Sequence, residues 1–140
     1  MKSAATWATP FDLNKITKKD LVKVEIAYSY QEAGAGAISG FVANGAKGIV
    51  TAGTGAGGIS KAMSEERKAA IEKGVVFVTT TRTGSGSNYS SGDGIIAGDN
   101  LNAAHARILL LLCLSFSKDF DTVQNWFTTV GYGQIELPAK

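Results

Sequence analysis

Cysteine is almost absent from this chain. Among 140 residues there is one, Cys113, so an intrachain disulfide is excluded. It sits in the apolar run Ile108-Leu109-Leu110-Leu111-Leu112-Cys113-Leu114 and reads as a buried structural thiol. A nucleophilic cysteine would want partial exposure and a nearby base. Histidine is equally scarce, and the single His105 reads as a surface residue of a helix. Long basic runs are missing too. Fourteen Lys and Arg are scattered against twelve Asp and Glu, a net charge of +2, so no nucleic-acid partner is expected. Met1 to Trp7 has no apolar stretch of the kind a secretory signal needs. The longest apolar segment is far shorter than the roughly 20 residues that cross a bilayer. A soluble chain with no membrane partner is therefore expected, with its compartment left open. No internal repeat or low-complexity block is visible, and no metal or cofactor is expected.

What is present points to one packed domain. Apolar residues make up 44% and charged residues 19%, which argues against disorder. The length suits a single core. Residues 1–20 are mixed and polar and read as a leading arm; residues 21–133 read as the domain and 134–140 as a tail. Val22 to Tyr28 alternates with β-branched residues and predicts a strand. Tyr30 to Ala46 is rich in alanine and glycine, with Ile38, Phe41 and Val42 spaced for one helical face and Gly45 placed to end the helix. Lys47 to Ala52 predicts a short buried strand. Ser60 to Lys73 predicts an amphipathic helix closed by Gly74, with Ser64, Glu65, Glu66 and Arg67 on its solvated face. Val75 to Thr81 is the clearest strand. After a loop rich in Gly, Ser and Asn, residues 94–97 predict a brief extended segment. Asp99 or Asn100 is expected to cap a helix from about Leu101 to Ser117. Asp119 opens a last helix over 119–130, with Val123, Trp126, Phe127 and Val130 on one side. Alternating strands and helices predict an α/β fold: a four-stranded parallel sheet with about four helices in three layers.

Ligands of such sheets approach the carboxyl ends of the strands. Two loops are expected there, Gly53 to Gly58 and Arg82 to Asp93. The first, Gly53-Thr54-Gly55-Ala56-Gly57-Gly58, fits G-x-G-x-x-G between a strand and a helix, as a dinucleotide site requires. The following strand, however, ends in Thr81-Arg82 rather than the acidic residue that would hold a ribose. Arginine would suit a 2′-phosphate. The other meaning of the glycines is a tight turn with close approach of another surface.

Five segments in register resemble the type II, bacterial-type L-asparaginases: Thr9 to Lys15, Val24 to Tyr30, Gly48 to Gly55, Thr81 to Gly86, and Asn100 to Leu110. Together they run from about residue 9 to residue 130 and match the C-terminal domain only. The resemblance implies a small parallel α/β unit from an amidohydrolase that turns L-asparagine into L-aspartate and ammonia, often with some glutaminase activity. It implies that the threonine nucleophile and its Thr-Lys-Asp helpers belong to a larger N-terminal domain, leaving no catalytic residue here. In the family this domain lends two polar groups to a neighbouring subunit's site, where they contact the substrate's α-amino end. One is an asparagine of the glycine loop; that position is Ala56 here, which has no amide to offer. The other is a carboxylate after the third strand, and it falls nearest to Asp93.

Three readings follow. The first is an asparaginase domain detached from its nucleophile domain, inactive alone, whose partners are that domain or a neighbouring subunit of a homo-oligomer. In that case it is expected to self-associate through apolar patches left uncovered, and a type II parent would be periplasmic or secreted. The second is a stand-alone binding domain without chemistry. The third is a small nucleotide-binding α/β domain. The hydroxyls available for chemistry within the chain are Thr79, Thr80, Thr81, Thr83 and Ser85, with no lysine or histidine beside them in sequence.

Overall fold

The computed structural model describes residues 9–83 and 91–131. Four strands form one sheet: β1 (Val24–Tyr28), β2 (Gly48–Gly53), β3 (Val76–Thr81) and β4 (Ile95–Ala97). All pairings are parallel, and the spatial order β1-β2-β3-β4 follows the chain. The helices are α1 (Gly36–Ala43), α2 (Lys61–Glu72), α3 (Ala103–Phe116) and α4 (Phe120–Trp126). This is the expected α/β class, with its four parallel strands and four helices.

The pleat divides the core into two layers, because successive side chains leave a strand on opposite faces. Ala27, Ile49 and Phe77 point to one face and pack with Ile38 of α1 and Met63 and Ala70 of α2. Val24, Val50, Ala52, Val78 and Ile96 point to the other and pack with Ala106, Leu110 and Cys113 of α3 and Val123 of α4. Strand order that advances in one direction keeps α1 and α2 on a single face, since each crossover has the same hand. Only after β4 does the chain pass to the opposite face. Gly48 lets α3 approach: a Cβ there would meet the Leu110 and Leu114 side chains at 2.7 and 2.9 Å. Arg107 reinforces the layer, its Nε donating to Val24 O at 2.8 Å.

The leading residues lie across α3. The Phe11 ring is 5.6 Å from Phe116 and 5.3 Å from Trp126. Val22 N donates to the Ser115 hydroxyl at 3.2 Å. No helix among the described residues is long and apolar enough to cross a membrane.

Three helix details differ from expectation. Neither Asp99 nor Asn100 caps α3. Asn102 does, its side chain accepting from His105 N at 2.8 Å. Asp99 instead takes a left-handed backbone, φ 47°, in the turn closed by Leu101 N donating to Gly98 O. The last helix is not uniform: α4 ends at Trp126 and the chain continues in a wider π turn over Phe127–Gly131. Arg67 is not on a solvated face. It falls four residues after Met63 and three before Ala70, on the stripe that turns inward. Its Nε is buried with no hydrogen-bond partner among the described residues, and burial lowers the guanidinium pKa.

Cys113 is fully buried in the α3 layer, as its apolar surroundings predict, and burial pushes its thiol pKa up to about 12. Below the unfolded value of roughly 8.5, native and unfolded chains both hold the proton. Between that value and about 12 only the native chain holds it, so stability falls as pH rises through this window. We expect a thiol reagent to leave the folded chain unlabelled over the time in which the guanidinium-unfolded chain is labelled completely. Alkaline titration of the melting temperature should show the corresponding decline, absent in Cys113→Ala.

Candidate functional site

The strands' carboxyl ends gather the polar features of one rim. β2 runs into the glycine loop, which folds back on itself. Thr54 N donates to Gly58 O at 3.0 Å, while Gly57 N and Gly58 N both donate to Thr54 O. Gly55 and Gly57 have φ of 54° and 85°, the left-handed region where glycine alone is unstrained. Gly53 matters for a different reason: a Cβ there would lie 2.4 to 2.6 Å from the Gly57 and Gly58 backbone. The loop is thus a closed turn with Ala56 exposed at its tip. Three of its amides are already engaged internally, so it offers a poor cradle for a pyrophosphate. The strand order also has no reversal, and hence none of the internal crevice in which doubly wound sheets hold dinucleotides.

Neighbouring loops brace this turn. Ser29 N donates to Ala52 O at 2.9 Å, Ser60 N to the Ser29 hydroxyl at 3.2 Å, and the Ser60 hydroxyl to Ala33 O at 2.5 Å. Ser60 also caps α2, accepting from Met63 N. On the other side, Arg82 N donates to Gly53 O at 2.8 Å. Between them lies an open depression of about 280 Å³ lined by Tyr28, Ala52, Thr81, Arg82, Asn102 and Ala103. The α2 and α3 amino ends face this rim and contribute partial positive charge.

The two residues that the resemblance singled out do not meet. Ala56 sits on the carboxyl rim. Asp93 precedes β4, where Gly92 and Ile95 exchange backbone hydrogen bonds and Ile95 pairs with Phe77 near the start of β3. It is therefore an exposed turn residue at the amino end of the sheet. The carboxylates on carboxyl-end loops are Glu32, after β1, and Asp99, after β4. Both have left-handed backbones, φ 58° and 47°. Sequence reading passed over Glu32 and weighed Asp99 only as a cap. Nothing in the pattern separates either from an ordinary loop carboxylate, and only the pairing register assigns Asp93 to the far end. The amino end is instead lined by lysines beside helix carboxyl ends. One of them, Lys23, donates from Nζ to Asn44 O just past α1 at 2.9 Å, an interaction that offsets the helix dipole.

The threonine hydroxyls serve the sheet. Thr79 Oγ1 donates to Ile96 O at 3.3 Å and Thr80 Oγ1 to Thr51 O at 3.0 Å. The Thr81 and Thr83 hydroxyls pair at 2.8 Å. Ser85 lies outside the described residues. His105 is on another element, on the outer side of α3 beside Leu101 and Ile108. Among the described residues no group of three His, Cys, Asp or Glu side chains is placed to share a metal ion.

A four-stranded parallel sheet covered by helices on both faces, with its ligand-facing loops gathered at one rim, defines the class: a small α/β domain. Residues 23–127 match the family described as Glutaminase/Asparaginase C-terminal domain, and the chain belongs to that family. It is 39% identical to L-asparaginase 2 of Bacillus subtilis (strain 168), over 77% of this chain and 30% of that protein. It is 33% identical to L-asparaginase 2 of Escherichia coli (strain K12), over 85% of this chain and 35% of that protein. Among solved structures, the probable cytoplasmic L-asparaginase of Campylobacter jejuni superposes with a TM-score of 0.79 at 38% identity, over 86% of this chain and 40% of that one. The chain thus spans about a third of the length of the curated relatives it matches.

Proposed function

We propose that this chain is the C-terminal domain of an L-asparaginase-like amidohydrolase, which in complete form hydrolyses L-asparagine to L-aspartate and ammonia. These 140 residues alone are inactive, because the family's nucleophile belongs to its N-terminal domain. The observation that carries this reading is the carboxyl rim: a closed glycine loop beside an open depression that no other part of the described chain covers. In the working enzyme, a homo-oligomer, this rim faces the nucleophile domain of a neighbouring subunit. Ala56 stands where the loop approaches the substrate but donates no side-chain hydrogen bond. Asp93, at the far end of the sheet, does not reach that rim. A carboxylate for the α-amino group comes more readily from Glu32 or Asp99.

The test is a chimera in which this chain replaces the matching third of the B. subtilis enzyme. We expect ammonia release from L-asparagine by the chimera and none by the chain alone. A chimera that folds and assembles yet releases no ammonia would refute the assignment.

A further inference from the structure

Four polar side chains are buried among the described residues: Thr51, Thr79, Thr80 and Ser29. The three threonines lie within strands, and their hydroxyls donate to carbonyls of adjacent strands, on Val78, Ile96 and Thr51 respectively. Ser29 is different. It is 3% exposed and follows β1 at the carboxyl rim, and its hydroxyl oxygen accepts from Ser60 N, on another loop, at 3.2 Å. Burying a hydroxyl is unfavourable unless it is hydrogen-bonded, so the bond to Ser60 is what suits a serine to this position.

That bond closes a frame around the glycine loop. The loop's entry is fixed at Gly53, whose carbonyl accepts from Arg82 N. Its exit runs through Ser60, two residues past Gly58. Ser29 is a firm post for this exit, because its own N donates to Ala52 O at the end of β2. Ser60 passes the constraint on: its hydroxyl donates to Ala33 O, and its side chain caps α2. Between entry and exit lie Gly55 and Gly57, the residue type with the widest choice of backbone conformation. We propose that Ser29 is a positioning residue of the shared site: its buried hydroxyl holds the exit of the glycine loop, and with it Ala56, in the place from which the rim meets the substrate. This rests on the functional reading above and names a side chain on which the shape of the rim depends.

The rim meets the α-amino end of the substrate, away from the amide that reacts. A displaced loop therefore weakens binding of substrate and transition state alike, which raises KM and leaves kcat. Loss of fold does the reverse, since fewer active molecules lower the apparent kcat at unchanged KM. The experiment compares Ser29→Ala with Ser115→Ala in the B. subtilis chimera. Ser115 is a matched control in the last turn of α3, away from the rim, its half-buried hydroxyl accepting from Val22 N at the same 3.2 Å. For Ser29→Ala we expect a KM for L-asparagine raised roughly fivefold with kcat within about twofold, and for Ser115→Ala an unmoved KM. An unmoved KM in Ser29→Ala, or an equal rise in both variants, would overturn the inference. Amide hydrogen exchange in the 140-residue chain reads the same frame without catalysis. Ser29→Ala should speed exchange at Gly57 and Gly58 roughly tenfold, and Ser115→Ala should not; unchanged exchange in Ser29→Ala overturns the inference as well. Should Ser29→Ala keep the chimera from folding, the exchange result decides. A chimera inactive with Ser29 in place would refute the functional reading, and exchange would still decide whether Ser29 holds the loop.

Discussion

Purified chain mixed with L-asparagine is expected to release no ammonia above the buffer blank at any pH at which it stays folded. Amide hydrolysis needs a nucleophile made reactive by a base and a set of donors around the developing oxyanion. Removing an activated nucleophile leaves rates lower by several powers of ten, so the expected difference from a complete enzyme is the whole measurable activity. Among the described residues each candidate is spoken for. Cys113 is buried, and its thiol, pushed up to about 12, holds its proton throughout the physiological range. Thr80 is buried and bonded to a strand carbonyl, and Thr81 is bonded to Thr83. His105 stands on the outer side of α3, in an apolar surround, rather than beside the threonines of β3. Turnover that survives repurification, with loss on substituting one of these residues, would mean that the chain carries its own nucleophile and that the two-domain account is wrong.

The largest structural effect is expected from Gly53→Ala. The added methyl would sit 2.4 Å from Gly58 O and 2.5 Å from Gly57 C. Backbone cannot swing aside as a side-chain tip can. Either β2 or the returning turn must shift, breaking the Thr54–Gly58 and Arg82–Gly53 hydrogen bonds. A cost of about 3 kcal/mol is expected, roughly 10 °C in melting temperature for a domain of this size. Gly55→Ala is the control. Its φ of 54° is strained for alanine, but no atom lies within 4 Å of the new Cβ. About 1 kcal/mol is expected there. Thermal or denaturant unfolding of both variants measures the difference. Equal losses would mean that the glycine loop does not close against β2 as described. In the chimera, Gly53→Ala should also lower activity more than Gly55→Ala, because it displaces the rim itself.

The contrast between these two glycines shows how far sequence reading reaches. Both belong to one G-x-G-x-x-G match, and by sequence alone they are equivalent. One is required by backbone conformation, the other by contact with residues four and five positions later. The same match suits a nucleotide site and a tight turn alike, and the structure shows the turn, with the Thr54, Gly57 and Gly58 amides bonded within the loop.

Local chemistry was legible wherever short-range periodicity controls the outcome. The β-branched runs around Ile49 and Phe77 became central strands because they fill both faces of a covered sheet. Ser60 and Asp119 became caps because their side chains reach amides three residues on. Gly45 and Gly74 ended α1 and α2 with φ near 84°. The family also shows in the linear order of five segments. Three matters waited for the tertiary structure. The choice of Asn102 over Asp99 and Asn100 as the α3 cap depends on the turn that follows β4. The inward turn of Arg67 depends on which side of α2 the sheet occupies. The separation of Asp93 from Ala56 depends on register: parallel pairing of Ile95 with Phe77 assigns Asp93 to the amino end of the sheet, while Glu32 and Asp99, unremarkable in the sequence, stand on loops at the other.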